Sequence, residues 1–370
     1  MAATTGQRRA AALLAGALAA GAFITGATLG ANQEKRAPKV VARMSLGELA
    51  GARIVSGFPG TTPPLRVRRM IREGRLSGVI LFAENLPSRA RGRRVIRRLQ
   101  AIPRPAGLRD PLLVMVDQEG GLVKRIGGAP TVSARQMGAR GPAFSRAQGR
   151  RTAANLRNLG ANVDLAPVLD IARPGGTIAD TDRGFGSNAA RVRATAIPFA
   201  RGLQARGVAA TAKHFPGLGA ARLNTDFAVQ RIGVSKRRLR AVDEAPYRRF
   251  VAIGGEMVML ATAIYPAFSE RPAAFTRAIA TGELRSRLGF EGVSITDALE
   301  SVAVRDFGGP ARAGRAAASA GVDLLLFTDP GAAERAGSAL LRGLRSGSLS
   351  RASFEAAVRR VLRLRHRLAR

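Results

Sequence analysis

A single (β/α)8 (TIM) barrel of the α/β class is the fold that this sequence predicts, and three observations support it. Short runs rich in Val, Ile and Leu alternate with helix-like segments along the chain. The runs are continuously apolar, as expected for a parallel sheet covered on both faces. No glycine-rich dinucleotide loop follows the first run, which argues against an open doubly wound sheet. The runs number eight, at Arg53–Phe58, Gly78–Ala83, Leu112–Asp117, Asn162–Asp170, Val208–Phe215, Met257–Tyr265, Gly292–Leu299 and Val322–Phe327.

Segments with helical periodicity separate the predicted strands, and the pattern continues after the last strand. Eight strand–helix units in roughly 320 residues fit a closed barrel, so we expect a single domain. The clearest helical segments are Ser145–Leu159, Arg191–Arg206, Lys236–Ile253, Gly309–Ala320, Arg335–Leu344 and Phe354–Leu368.

The N-terminus has the layout of an export signal. Arg8 and Arg9 precede a small-residue and apolar run at Ala10–Ala31, and polar residues follow it. The run is also long enough to span a bilayer as an uncleaved anchor. The alternative is a buried first helix of the domain. The predicted divisions are 1–31 (signal peptide or membrane anchor), 32–43 (linker) and 44–370 (barrel).

The position of the positive charges predicts where the barrel is located. Basic residues before an apolar segment keep the N-terminus inside and place the remainder outside. We therefore expect an exported protein, either extracellular or periplasmic, or anchored to the outer face of the cytoplasmic membrane.

Two residue counts limit the possible chemistry. The chain has no Cys, which excludes disulfides, Cys-based zinc sites and a thiol nucleophile. His214 and His366 are the only two histidines, which excludes a His-rich metal site. We expect neither a metal ion nor an organic cofactor.

The formal net charge of +35 is extreme, and nearly all the cations are Arg. They are scattered along the whole chain, without a nucleic-acid-binding motif, Trp is absent and Tyr occurs twice. We therefore expect non-specific attraction to anionic envelope polymers or membrane surfaces rather than specific nucleic-acid recognition. We also expect a monomer.

Polar residues gather where several of the predicted strands end. Asp117 ends the third strand, Asp170 the fourth, Lys213 and His214 the fifth, and Asp297 the seventh. Catalytic groups of a barrel collect at the carboxyl ends of its strands. Mixed charges at four such ends indicate a pocket for a polar, multiply hydroxylated ligand.

These segments also carry a family resemblance. In order, and over nearly all of Met44–Arg370, the chain resembles glycoside hydrolase family 3, and most closely its single-domain β-N-acetylhexosaminidases. The resemblance implies a (β/α)8 barrel and a retaining exo-glycosidase that removes terminal β-linked N-acetylglucosamine. The matching segments are VDQEGGLVKRI, NVDLAPVLDI, DRGFG, KHFPGLG, PAAFTRAI and LGFEGVSITDAL.

The resemblance also implies roles for individual residues. Asp297 matches the nucleophile, a carboxylate that attacks the anomeric carbon and forms a glycosyl-enzyme intermediate. Alternatives remain for three positions: Asp170 and His214 as barrel-mouth residues satisfied by internal hydrogen bonds, and Arg183 as an ion-pair partner of Asp182. The residues that match the sugar-holding positions are Asp117, Arg125, Arg183, Lys213 and His214.

The chain departs from the family pattern at the proton donor. Where these hexosaminidases carry Asp-x-His after the fifth strand, this chain reads Asn224-Thr225-Asp226. Asp226 serves as general acid if burial or the nearby Asp297 raises its pKa; the alternative is a solvated loop carboxylate. Leu218 and Leu122 also replace His and Arg of the usual pattern.

The leading hypothesis is an exported or anchored β-N-acetylhexosaminidase acting on cell-wall fragments or related glycans, with Asp297 as nucleophile and Asp226 as acid/base. One alternative is a β-glucosidase-type activity on the same scaffold. Another is a catalytically silent glycan-binding protein that keeps the sugar-holding residues.

Overall fold

The structure is a computed structural model, and it describes residues 40–369 of the chain. The predicted signal or anchor segment at 1–31, and positions 32–39 of the predicted linker, lie outside the described residues. The compact unit that contains the barrel begins at Met44. Within residues 40–369, no helix has both the length and the apolar character needed to cross a membrane.

Eight parallel strands form the centre of this unit, and each lies within one of the eight runs predicted from the sequence. All eight are buried along their length, as expected for strands covered on both faces. They are β1 (Ile54–Ser56), β2 (Gly78–Leu81), β3 (Leu113–Val116), β4 (Val163–Asp164), β5 (Ala209–Phe215), β6 (Met257–Leu260), β7 (Val293–Thr296) and β8 (Leu325–Phe327).

Strand pairing closes the sheet into a barrel. Each strand from β1 to β6 pairs with the next one in sequence, and β8 pairs with β1 through Ile54 and Leu325. A parallel bridge between Ile295 and Leu324 joins β7 to the residue before β8. The predicted single-domain (β/α)8 barrel is therefore confirmed.

Helices surround the barrel, and π-helical turns at Leu239–Asp243 and Ala278–Arg287 replace regular helix after β5 and β6. The predicted helix at Lys236–Ile253 is thus divided into shorter pieces, whereas Gly309–Ala320 has the predicted bounds. The α-helices are Leu46–Gly51, Leu65–Arg72, Arg89–Gln100, Ala134–Arg140, Pro142–Leu159, Thr177–Asp180, Ala189–Gln204, Lys236–Arg238, Ala245–Ala252, Val302–Arg305, Gly309–Ala320, Pro330–Arg345 and Arg351–Leu368.

Capping residues set several of these helix boundaries. The Asp329 side chain accepts a hydrogen bond from the Ala332 amide, with Pro330 in the first turn. Gly160 and Gly321 end their helices in the left-handed region, at φ of 99° and 98°.

Apolar side chains fill the barrel interior and leave one end open. Residues two apart on a strand, such as Leu113 and Met115, point to the same side and share one core. Val361 and Leu364 of the last helix pack against this core. Because that helix covers the amino ends of the strands, the accessible cavity lies at their carboxyl ends.

Candidate active site

A cavity of about 370 Å³ opens at the carboxyl ends of the strands. Its floor is apolar and consists of Ile80, Leu165, Met259 and Leu326, all from the barrel core. All seven residues that the sequence predicted for the site line this single cavity: Asp117, Arg125, Arg183, Lys213, His214, Asp226 and Asp297.

Asp297 directly follows β7 and is half-buried beside the floor of the cavity. Its amide donates to the carbonyl of Leu260, and its Oδ1 accepts from the Ala298 amide at 2.8 Å. Burial raises the pKa of the Asp297 carboxyl, His214 lowers it and the negative charge of Asp226 raises it further. The carboxylate is therefore fixed in position and electrostatically linked to the loop carboxylate.

Lys213, at the cavity wall, links two acidic residues. Its Nζ lies 2.7 Å from Asp117 Oδ1 and 2.7 Å from Glu119 Oε1. Burial alone lowers the pKa of the Lys213 ammonium, but Asp117 and Glu119 outweigh burial and raise it. The lysine is therefore a charged and rigidly held donor.

Arg183 binds Glu119 with two hydrogen bonds, from Nε at 2.9 Å and from Nη2 at 2.8 Å. Burial alone raises the pKa of the Glu119 carboxyl, but Arg183 and Lys213 hold that pKa well below its usual range. The alternative of an Arg183–Asp182 ion pair is wrong: Asp182 pairs with Arg135 at 2.6 Å.

The sequence interpretation missed Glu119 as a site residue. Glu119 is buried and joins Lys213 to Arg183. The sequence offered one indication of its role, because Glu119 lies two residues after Asp117 at the same strand end. A carboxylate that is buried at such a place requires cationic partners. Its partners lie 64 and more residues away in sequence, so the spacing did not identify them.

His214 is held by Asp170, with 2.7 Å between Nδ1 and Oδ2. Asp170 Oδ1 also accepts from the Leu218 amide at 2.6 Å. Because an ionised carboxylate only accepts hydrogen bonds, Nδ1 carries the hydrogen and Nε2 is the nitrogen left for a ligand. The two residues thus make an internal hydrogen bond, as the alternative interpretation held for each, and His214 lines the cavity as well.

Arg125 lies on the opposite side of Asp117 from Lys213 and is less tightly held. Its Nη2 is 3.7 Å from Asp117 Oδ2, and its guanidinium lies 5.9 Å from the centre of the Phe82 ring. Gln118 fixes the backbone here by accepting from the Arg125 amide at 3.1 Å. The guanidinium is therefore available to a ligand in the cavity.

The loop that carries Asp226 contributes Asn224, Thr225 and Asp226 to the lining of the cavity. Asn224 Oδ1 accepts from the Asp226 amide at 3.0 Å, and Asn224 Nδ2 donates to Asp226 Oδ2 at 3.2 Å. The amides of Val302 and Ala303 donate to the carbonyls of Asp226 and Thr225, both at 3.2 Å. Asp226 is thus exposed to solvent and still lines the same cavity as Asp297.

Glu300 is a second cavity carboxylate that the sequence interpretation missed. It lies three residues after Asp297, and it accepts hydrogen bonds from the amides of Thr328 and Asp329 at 3.0–3.2 Å. Burial raises its pKa to about 7, although these amides favour the charged form. An acidic residue in a loop after a strand is too common for sequence alone to have singled it out.

Among the described residues, no group of three or more His, Asp and Glu side chains is arranged to hold a metal ion. The cavity combines carboxylates, a residue class that can act as nucleophile or as acid–base group, with cations, which can bind hydroxyl groups.

The fold and this site together define a glycoside hydrolase. The chain belongs to glycoside hydrolase family 3, because the family model described as the "Glycosyl hydrolase family 3 N terminal domain" matches residues 46–364.

Two curated relatives are similar over most of the chain. A protein of Arthroderma benhamiae, described as an uncharacterized secreted glycosyl hydrolase, is 38% identical over 336 residues, 88% of this chain and 95% of the relative. A beta-hexosaminidase of Thioalkalivibrio sulfidiphilus is 35% identical over 296 residues, 76% of this chain and 81% of the relative.

Two solved structures share the fold. A family 3 beta-N-acetylglucosaminidase of Paenibacillus sp. superposes with a TM-score of 0.83 at 33% identity, over 88% of this chain. This chain covers 63% of the Paenibacillus chain, which is less than two thirds of it. A beta-N-acetylhexosaminidase of Beutenbergia cavernae superposes with a TM-score of 0.82 at 30% identity, over 88% of this chain and 99% of that chain.

Proposed function

We propose that this chain is a retaining exo-β-N-acetylhexosaminidase that removes terminal β-linked N-acetylglucosamine from cell-wall fragments or related glycans. The observation that carries the proposal is the convergence of all seven predicted site residues on one cavity with a closed floor. The names of the Thioalkalivibrio, Paenibacillus and Beutenbergia relatives support the same activity.

The sugar is held by the charged side chains around the cavity. Lys213, fixed between Asp117 and Glu119, and the Arg125 guanidinium donate hydrogen bonds to ring hydroxyls. The Asp117 carboxylate accepts hydrogen bonds from the same hydroxyls. Because the donors are already positioned by ion pairs, little reorganisation is needed as charge develops on the sugar.

The reaction proceeds in two steps. In the first, an oxygen of Asp297 bonds to the anomeric carbon while the bond to the leaving oxygen breaks, and Asp226 gives that oxygen its proton. In the second, Asp226 takes a proton from water, the water oxygen bonds to the anomeric carbon, and the bond to Asp297 breaks. The anomeric configuration is therefore retained, without a metal or organic cofactor.

Asp226 is the better proton donor of the two remaining cavity carboxylates. It lies on a loop that lines the cavity, and its charge acts on Asp297. The Glu300 oxygens are both occupied by backbone amides at the end of β8, so Glu300 instead fixes that end of the site. Lys213, His214 and Arg183 serve in binding.

We further propose that the protein is exported and acts as a monomer. Arg8, Arg9 and the apolar run that follows them support a signal peptide or an anchor, with the barrel domain beginning at 44. The Arthroderma benhamiae relative is described as secreted, which is consistent with export.

Turnover of two substrates by three variants tests the proposal. The unmodified protein should hydrolyse both N,N′-diacetylchitobiose and 4-nitrophenyl β-N-acetylglucosaminide with retention of configuration. Asp297→Ala should lower kcat/KM by about 10⁴-fold or more on both substrates, because the nucleophile is lost. Asp226→Asn should lower kcat/KM about 100-fold on the disaccharide and far less on the nitrophenyl glycoside, whose leaving group needs little protonation.

The control is Asp306→Asn, which removes an exposed carboxylate outside the cavity and should leave both rates unchanged. Faster hydrolysis of the matching β-glucoside would favour the β-glucosidase alternative. Binding of N-acetylglucosamine without turnover by the unmodified protein would contradict the proposal and favour a silent glycan-binding protein.

A further inference from the structure

A separate cavity of about 480 Å³ lies between two elements that follow β6 and β7. One wall comes from residues 268–277, which form the second strand of a small hairpin and the turn after it, and the other is the helix Gly309–Ala320. Each wall contributes two arginines. We refer to this cavity as the arginine groove, and its four arginines are Arg271, Arg277, Arg312 and Arg315.

The helical wall places two of these cations side by side. Arg312 and Arg315 are three residues apart, so they lie on one face of the helix, and they share this face with Ala316, Ser319 and Ala320. The three small side chains leave open space between the arginines and the opposite wall. Because like charges at this spacing repel each other and the helix Gly309–Ala320 contains no acidic residue, the repulsion is not offset within the helix.

Hydrogen bonds fix the opposite wall and join it to the helix. Thr276 Oγ1 donates to the carbonyls of Arg271 and Pro272, at 3.2 and 3.0 Å, and so holds the turn that separates the two arginines of this wall. Arg277 Nη1 donates to the Ser319 carbonyl of the helix at 3.5 Å. The arginines of both walls are therefore attached to supports that contact each other across the groove.

The protein supplies no counterion for this groove. Within residues 40–369, no carboxylate lines it and none of its four arginines forms an ion pair. Glu270 directly precedes Arg271 but pairs with Arg231 and does not line the groove. In the same part of the chain, the exposed guanidinium groups of Arg271 and Arg312 make no hydrogen bond to the protein. Their N–H donors are therefore free for a ligand.

We propose that the arginine groove binds an oligophosphate, a compact anion that carries two or more adjacent phosphate groups. Each guanidinium is a planar fork of N–H donors that matches phosphate oxygens in pairs. Donors on two facing walls require an acceptor with oxygens on several sides, which a tetrahedral phosphate has and a planar carboxylate lacks. Four positive charges in a cavity of this volume favour more than one phosphate group. The hydroxyl groups of Ser269 and Ser319 also belong to residues that line the groove and can donate to the anion.

A pair of charge-matched variants separates this site from the general positive charge of the protein. Arg271→Gln, Arg312→Gln removes one cation from each wall, at side chains that hold no other part of the protein. Arg94→Gln, Arg97→Gln is the control: it removes the same charge from two exposed arginines of the helix Arg89–Gln100, which lie outside the groove.

Titration calorimetry with sodium tripolyphosphate in 0.15 M NaCl measures the binding. The unmodified protein should bind one tripolyphosphate per chain. The groove variant should raise Kd about tenfold or more, because charged hydrogen bonds are lost, whereas the control should change Kd less than about twofold, because salt screens distant exposed charges.

Thermal unfolding supplies a second readout and shows that the variants fold. Tripolyphosphate should raise the Tm of the unmodified protein and of the control, because a ligand that binds only the folded state stabilises it, and should leave the Tm of the groove variant unchanged. Without ligand, the Tm of the groove variant should be no lower than that of the unmodified protein, since the variant has less repulsion between cations.

Four results would overturn the proposal: no binding of tripolyphosphate, an equal loss in the groove variant and the control, sulfate binding as tight as tripolyphosphate binding, or retention on anionic vesicles that the groove variant loses while tripolyphosphate does not bind. The last result would make the groove a contact for membrane surfaces. The groove shares no lining residue with the candidate active site, so the groove variant should hydrolyse N,N′-diacetylchitobiose at the unmodified rate. Failure of the proposed glycosidase activity would therefore leave this test intact.

Discussion

The carboxylates of this one site differ in whether their surroundings stabilise or destabilise the ionised form. Arg183 and Lys213 keep Glu119 charged despite its burial, so Glu119 serves as a fixed counterion. Asp297 experiences burial and the charge of Asp226, and both raise its pKa. The same chemical group, a carboxyl, thus provides a permanent anion at one position and a titrating group at another position of the same site.

The charge of Asp226 should be visible in the pH dependence of catalysis. Asp297 must be ionised to attack, so kcat/KM rises as the pH passes upward through its pKa. Asp226→Asn removes a negative neighbour and lowers that pKa, which shifts the acidic limb of kcat/KM to lower pH. The measurement is the pH profile with 4-nitrophenyl β-N-acetylglucosaminide, since kcat/KM then reports the first step. Asp306→Asn should not shift the limb, and an unmoved limb in Asp226→Asn would contradict the coupling.

Ionic contacts between elements hold the amino end of the barrel closed. Arg367 of the last helix lies 2.6 Å from Glu256, immediately before β6, and Glu256 also accepts from the Ala210 amide of β5 at 3.1 Å. Asp323, which precedes β8, likewise forms ion pairs with Arg285 and with Arg360 of the last helix. The last helix is therefore attached to the strands by charges as well as by Val361 and Leu364.

Glu256 should make folding stability depend on pH. Burial raises its pKa from 4.5 to about 7 in the folded state, with Arg367 opposing. The folded protein then holds this proton more tightly than the unfolded chain, so the contribution of Glu256 to stability is greatest below pH 4.5 and is lost as the pH rises to about 7. The decline amounts to at most about 3 kcal/mol.

Glu256→Gln does not titrate and should flatten the dependence of Tm on pH between 4.5 and 7. Glu300 titrates in the same window, so part of the slope should remain. Glu355→Gln is the control: this residue pairs with Arg351 and Arg359 on the surface of the last helix, and the slope should not change. A slope equal to that of the unmodified protein in Glu256→Gln would contradict the prediction.

At the scale of the whole molecule, positive charge greatly exceeds negative charge. The chain has 60 Lys and Arg against 25 Asp and Glu. Some of these few carboxylates are buried and pair with half-buried cations, as Asp323 does with Arg285 and Arg360, and are not available to balance the surface. We therefore expect a positive field around the barrel that attracts anionic polymers without a specific site.

Binding to polyanions should therefore depend steeply on salt, whereas turnover should not. The Debye screening length is about 8 Å at 0.15 M salt and shortens as salt is added. Exposed Arg side chains therefore lose their attraction to polyanions, whereas contacts inside the cavity are retained. We expect retention on anionic vesicles at 0.05 M NaCl to disappear by about 0.5 M. Hydrolysis of a neutral glycoside should change less than about twofold over that range. Zwitterionic vesicles serve as the control, and salt-independent retention would point to a specific site instead.

The sequence by itself determined the barrel fold and which residues lie together at its candidate site. Continuously apolar runs define the eight strands, and polar residues after them must lie together because the carboxyl ends of parallel strands meet at one end of a barrel. Asp117, Lys213 and Asp297 were predictable on this basis, and their places in one cavity follow from the topology alone.

Only the tertiary structure decided which side chains meet. The pairing of Arg183 with Glu119 instead of Asp182, the attachment of Glu300 to the end of β8, and the docking of the Asp226 loop on Val302–Arg305 join residues far apart in sequence. Local patterns report burial and periodicity, but they carry no information on which of many Arg or Glu side chains lies within hydrogen-bonding distance. That distance is set by how helices and loops pack around the closed sheet, which is a property of the whole chain.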